Sequence, residues 1–227
     1  IHLDYKITSQ AGFKPFLMGN EVLAESSPVR ELVIKVKFPK EKELHHQLLN
    51  AKQKLNISKD GDFMEYRWRF QDVPAIKHED QQPGFDQHLP RLLFSTKDFS
   101  NAYQYLTSQF DKHLPEGISQ SLNDAVKNSK NTMDSILAIQ DMVAGHMNHF
   151  PIPWQHKGFQ LRSNEELLED NGGTGLEKTW LLTTLLNRIG IDASPVAILP
   201  TEFFDKNMAH LKTMEKHYVK VPANKGS

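Results

Sequence analysis

The segment Asn171-Gly172-Gly173-Thr174-Gly175-Leu176-Glu177-Lys178 holds the residue types and spacing best suited to chemistry in this chain. Thr174 and Glu177 stand at capping-box spacing ahead of a Leu-rich run, which makes Gly175 the first residue of a helix. Unpaired backbone N–H groups at such a helix start can hold an anion, lower the pKa of a thiol or stabilise an oxyanion. The chain supplies no nucleophile to use them. It contains no cysteine, glycine has no side chain, and the Thr174 hydroxyl is committed to the cap with no adjacent base to activate it. Glu177 is explained by the cap before any acid role is needed. The Gly-x4-Gly-Lys-Ser/Thr spacing of a P-loop is missing, and the preceding element reads as helix where a P-loop needs a strand. A weak anion site is what remains.

Histidines offer the next candidates, since the chain has 11 of them. His217 opens an alternating run, His217-Tyr218-Val219-Lys220-Val221, and could present an imidazole from a strand end. His146 and His149 fall three apart on an expected helix, with His156 further on, but no Asp, Glu or Cys joins them at a metal-ligand spacing. Neither a metal nor a cofactor is expected. His45 and His46 adjoin on an expected strand and so point to opposite faces. Trp68, Trp154 and Trp180 read as core anchors, because large aromatics dominate burial.

The elements that must position these residues follow from periodicity. Up to about residue 97 the apolar period is two: Ile1, Leu3, Tyr5 and Ile7; then Leu32, Ile34, Val36 and Phe38; then Met64, Tyr66, Trp68 and Phe70 after a hairpin turn at Asp60-Gly61. Pro74, Pro83 and Pro90 punctuate the stretch before a last strand at Leu92-Leu93-Phe94. From Phe99 the period becomes helical, through Phe110, then from Ile118 to Val126, and from Met133 to Met147. Ser163 and Glu166 cap a short helix to Asp170; the helix begun at Gly175 stops at Gly190. Residues 193–199 read as a buried strand, joined by a polar crossover to the strand at His217.

The stretch Gly173 to Ile191, GTGLEKTWLLTTLLNRIGI, followed by ASPVAIL, resembles the core of transglutaminase-like domains of the papain-like cysteine peptidase and transglutaminase superfamily. Residues 26–110, with SSPVRELVIKVKFP, Tyr66 to Phe70, Val73 to Ile76, Glu79 and Leu92 to Thr96, resemble the uncharacterised β-rich domain that precedes such domains in bacterial exported proteins. The resemblance implies an α+β chain: an antiparallel, sandwich-like domain over 1–97 and an incomplete transglutaminase-like domain over 98–227, its Gly175 helix packed on the strands of Ala193 and His217. It maps the nucleophile to Gly175 and the base to His217, with Thr174 and Glu177 as neighbours, and its orienting acid, expected roughly fifteen residues past the histidine, is absent up to Ser227 by truncation or by divergence. A vestigial site is expected. Catalysis would then need other residues or a partner's.

Composition narrows the function further. The 27 basic and 28 acidic residues are intermixed, for a formal net charge of −1, so no charge block favours nucleic acid. No apolar run approaches a membrane span, and residues 1–7 alternate like a strand where a signal peptide would be charged and then apolar. The expectation is a non-enzymatic module for peptide or protein segments, with a periplasmic or cell-surface location implied by the resemblance alone.

Overall fold

The computed structural model of the protein describes residues 12–76, 89–199, 201–214 and 216–222. The expected strand over 1–7, Glu79 and Pro83 lie outside them. The backbone divides into two compact units, one of residues 16–104 and 200–213, the other of residues 1–15, 105–199 and 214–227.

In the first unit the strands are β1 (Met18–Val22), β2 (Val29–Pro39), β3 (His45–Leu49), β4 (Asn56–Asp60), β5 (Phe63–Val73) and β6 (Arg91–Ser95). They form two antiparallel sheets, in the orders β1-β6-β3 and β2-β5-β4. The period-two pattern accounts for this directly. Val36 and Phe38 of β2 and Trp68 and Phe70 of β5 are buried, while Lys35, Lys37, Arg67 and Arg69 between them face outward. The register Val36↔Tyr66 and Ile34↔Trp68 keeps the apolar sets on one face. Gly61 takes φ +60° between Asp60 and Phe63, the paired ends of the β4-β5 hairpin, a backbone region open to glycine at little cost. Leu92 and Phe94 of β6 close this core from the other sheet, which makes the unit sandwich-like.

Strand β6 is buried on both faces. Leu93 packs with Phe203 and Met208, which belong to the stretch expected to be a polar crossover. That expectation is corrected: Phe203, Met208, Ala209, Leu211 and Met214 are all buried. Their spacing over two 3-10 turns, Thr201–Phe203 and Leu211–Thr213, matches neither the strand nor the helix period, which hides the burial from the sequence.

Helix α1 (Phe99–Ser108) spans the division between the units. The second unit then contains α2 (Ile118–Val126), α3 (Thr132–Gln140), β7 (Asn148–His149), α4 (Asn164–Glu169), β8 (Gly172–Gly173), α5 (Gly175–Arg188), β9 (Ser194–Ile198) and β10 (Lys216–Lys220). Its core gathers Leu181, Leu185 and Leu186 of α5 with Leu122, Ile139, Val143 and Leu167. Helix α3 stops earlier than expected. A wide π-type turn, Asp141–Gly145, follows it, closed by His146, whose backbone N–H donates to the Asp141 carbonyl at 3.1 Å. Beyond it the chain extends into β7, so His146 and His149 do not share a helix.

Helix α5 stops as its sequence dictates: Gly190 adopts φ +83°, and Ile191 N–H donates to the Leu186 carbonyl at 3.0 Å. Asn187 clamps the following chain, its Nδ2 donating to the Ala193 carbonyl and its Oδ1 accepting from the Ala193 N–H, each at 3.0 Å. β9 and β10 pair antiparallel, with His217 opposite Ala197. Ala193 is buried, but β9 itself is only half-buried at its centre, since its pairing leaves one face of the hairpin to solvent. Ile198 and Tyr218 are exposed there.

Candidate functional site

Parallel pairing of β7 with β8 sets His149 opposite Gly173 and brings its imidazole to the start of α5. The glycines of β8 are needed for close approach: a Cβ on Gly172 would sit 2.7 Å from the Phe150 ring. Gly175 is different. A Cβ there would meet nothing nearer than His149 Cε1 at 4.0 Å, and the residue is exposed. The position is a vacancy at the head of a helix.

A cleft of about 490 Å³ opens over it, lined by Thr174, Gly175 and Leu176 on one side, His149 and the run Phe150 to Gln155 on another, and Met214 and His217 on the third. Trp180 does not fill it; that ring is buried edge-on against Phe110, at 4.8 Å between centroids. Among the described residues, no Asp, Glu, Lys or Arg lines the cleft.

His217 enters from β10 with its ring edge-on to Trp154, 6.2 Å between centroids. Burial pushes its pKa down to about 4, against an opposing pull from a hydrogen bond to the Met214 backbone. The imidazole is therefore neutral at pH 7, and among the described residues no carboxylate acts on it. Position alone does not give a catalytic base a partner.

Thr174 and Glu177 are consumed by structure. The Thr174 backbone N–H and hydroxyl donate to Glu177 Oε2 at 2.9 and 3.0 Å, and the hydroxyl accepts from Glu177 N–H at 3.3 Å. Glu177 Oε1 accepts from Lys157 Nζ at 2.7 Å and from Arg162 N–H and Nε at 3.2 Å each. Arg162 Nη2 reaches Oε2 at 3.1 Å. The carboxylate side chain is 1% exposed. Burial pushes its pKa up, but the bonds from Arg162, Lys157 and the Thr174 backbone outweigh that and hold it at about 2. Charge-assisted bonds of this number make Glu177 the anchor of the α5 start rather than an acid of the cleft.

Lys157 and Arg162 were not singled out by spacing, and His149 was, but as a metal-ligand candidate with His146 and not as a residue of this cleft. Arg162 immediately precedes the Ser163 cap, the one local hint that it sits near a helix start; nothing local marks Lys157 or ties His149 to the cleft, and the β7-β8 pairing and the fold bring them in. Among the described residues, no group of three or more His, Cys, Asp or Glu side chains could hold a metal ion. No helix among them is long and apolar enough to cross a membrane.

Comparisons with known proteins support the fold. A family described as a domain of unknown function with solved structure, DUF3857, matches residues 1–77. The chain is similar to a crystal structure from Parabacteroides distasonis ATCC 8503 described as a "putative protease", with a TM-score of 0.84 and 25% sequence identity over 94% of this chain. The match takes in 42% of that chain, so the present chain spans less than half its length. No curated protein matches the sequence. The protein thus has a mixed α/β, protease-like fold, with the cleft at the start of α5.

Proposed function

We propose that the cleft over Gly175 binds an extended, uncharged peptide segment and does not cleave it. The observation that carries this is the combination of an open floor at Gly175 with walls of Phe150, Pro151, Ile152, Pro153, Trp154 and Met214 and no charged side chain among the described lining residues. Apolar walls take up side chains, and polar groups at a few points fix their orientation. Among the described residues the cleft holds no thiol, and no carboxylate acts on neutral His217, which supports binding as its use.

The test is calorimetric titration of the chain with short peptides of large apolar side chains, with Gly175→Phe as the comparison. The bulky ring would fill the floor, and affinity is expected to fall at least about tenfold, the equivalent of roughly 1.4 kcal/mol. Equal affinity in both proteins, or release of cleaved peptide from the natural one, would sink the reading. On the resemblance to bacterial exported proteins we also propose a periplasmic or cell-surface location. Recovery of the full-length protein solely from the cytosolic fraction of its host would overturn that placement.

A further inference from the structure

The wall of the cleft that carries Trp154 is built on backbone that its sequence does not favour. Trp154 opens a 3-10 turn, Trp154–Lys157, and the chain then passes through two left-handed residues in succession, Gly158 at φ +66° and Phe159 at φ +63°. Glycine reaches that region at little cost, and a Cβ on Gly158 would sit 2.3 Å from the Phe13 carbonyl oxygen. Phe159 is another matter. A bulky L-residue is rarely found at positive φ, and such a conformation persists only where its surroundings hold it.

The turn's own backbone bonds are long: Gly158 N–H to the Gln155 carbonyl and Gln160 N–H to the Lys157 carbonyl are each 3.3 Å. Two further contacts hold Phe159. Its ring is 3% exposed and stands edge-on to Trp154, 5.2 Å between centroids. The other contact is Gln109, the residue after α1, whose Nε2 donates to the Phe159 carbonyl at 3.1 Å and whose Oε1 accepts from the Leu161 N–H at 3.0 Å. Only this orientation of the amide serves both, since the carbonyl needs a donor and the N–H an acceptor. Trp154 depends on the turn in its own right. Its indole N–H is closed off from solvent and has no hydrogen-bond partner among the described residues, so packing against Phe159 and His217 sets the ring's place.

We infer that Gln109 is a positioning residue of the cleft: by clamping the turn at Gly158 and Phe159 it holds the Trp154 ring beside His217 as a fixed wall. The inference rests on the proposed use of the cleft in binding peptide. Without the clamp the turn relaxes from its left-handed backbone, the Phe159 ring shifts, and Trp154 loses the packing that orients it.

Hydrogen exchange of the Trp154 indole N–H, followed by nitrogen-15 NMR on the whole chain without peptide and assigned through Trp154→Phe, reads the clamp directly. In Gln109→Ala the rate should rise at least about tenfold over the natural protein, while amides at the centre of α5 change less than about threefold. Gln109→Glu keeps the side chain's size but cannot donate to the Phe159 carbonyl at pH 7; it should raise the indole rate in the same sense, and it decides should Gln109→Ala fail to fold. An unchanged indole rate, or one that rises only in step with α5, overturns the inference. With short apolar peptides, Gln109→Ala should bind about tenfold more weakly; a raised indole rate with unchanged affinity overturns the positioning role. A natural protein that binds none of the peptides removes the cleft reading alone, and the peptide-free exchange then upholds or overturns the clamp by itself.

Discussion

Glu177→Ala is expected to destabilise the unit built around α5 by roughly 3–5 kcal/mol, the cost of breaking a buried pair by removing one partner. The loss has three parts. Arg162 and Lys157 lose the carboxylate that neutralises them, the Thr174 backbone N–H loses its acceptor, and a side chain with 1% exposure leaves a void. Arg162 also donates to the Gly172 carbonyl at 3.1 Å and pairs with Asp170 at 2.7 Å, so its displacement loosens β8 as well. Denaturant unfolding followed by circular dichroism measures the change. A loss under about 1 kcal/mol, the range of an exposed pair, would refute the assignment of Glu177 as the anchor. The sign of the pH dependence follows from the lowered pKa. Glu177 contributes its full stabilisation above its ordinary value of 4.5, and loses it as pH falls from there to about 2, a swing of about 3 kcal/mol. Glu177→Ala should lack that swing.

The capped helix start was legible in sequence because its cause is local. Thr174, Glu177 and Gly190 act within a few residues of one another, and both caps form with the bonds that their spacing implies. The sandwich strands were legible for the same reason, since alternation along β2 and β5 is a property of each strand alone. What stayed hidden depends on partners far away in sequence. His149 reaches the cleft only because β7 pairs with β8, and the apolar spacing of 133–147 ran through a π-turn that periodicity cannot distinguish from helix. The burial of Phe203 and Met208 comes from a sheet whose central strand lies more than a hundred residues earlier, and no local period announces it. The ion cluster on Glu177 joins Lys157, Arg162 and Glu177 across loops, so the cap explained the residue while concealing its larger role.

Gly175→Cys is expected to yield a thiol about ten times more reactive than an ordinary one at pH 7, without restoring hydrolysis. The substitution fits: the added Cβ meets only His149 Cε1 at 4.0 Å. The first position of a helix running from Gly175 to Arg188 favours a thiolate by roughly 1 kcal/mol, up to ~2 in partly buried geometry, which brings a thiol of pKa ~8.5 to ~7–7.8. The rate of alkylation against pH gives the value. His217 should add little. Its pKa of about 4 lies well below that of a lowered thiol, so forming a thiolate-imidazolium pair would cost about 4 kcal/mol or more before the two charges repay anything. Among the described residues no carboxylate acts on the ring to offset that. Adding His217→Ala to the variant should therefore change the labelling rate by less than about threefold, one pKa unit being worth 1.36 kcal/mol. A thiol pKa near 8.5 would mean that the helix start no longer favours an anion. One below ~5 that depends on His217 would mean that the pair forms readily, against the proposed role of the cleft in binding alone.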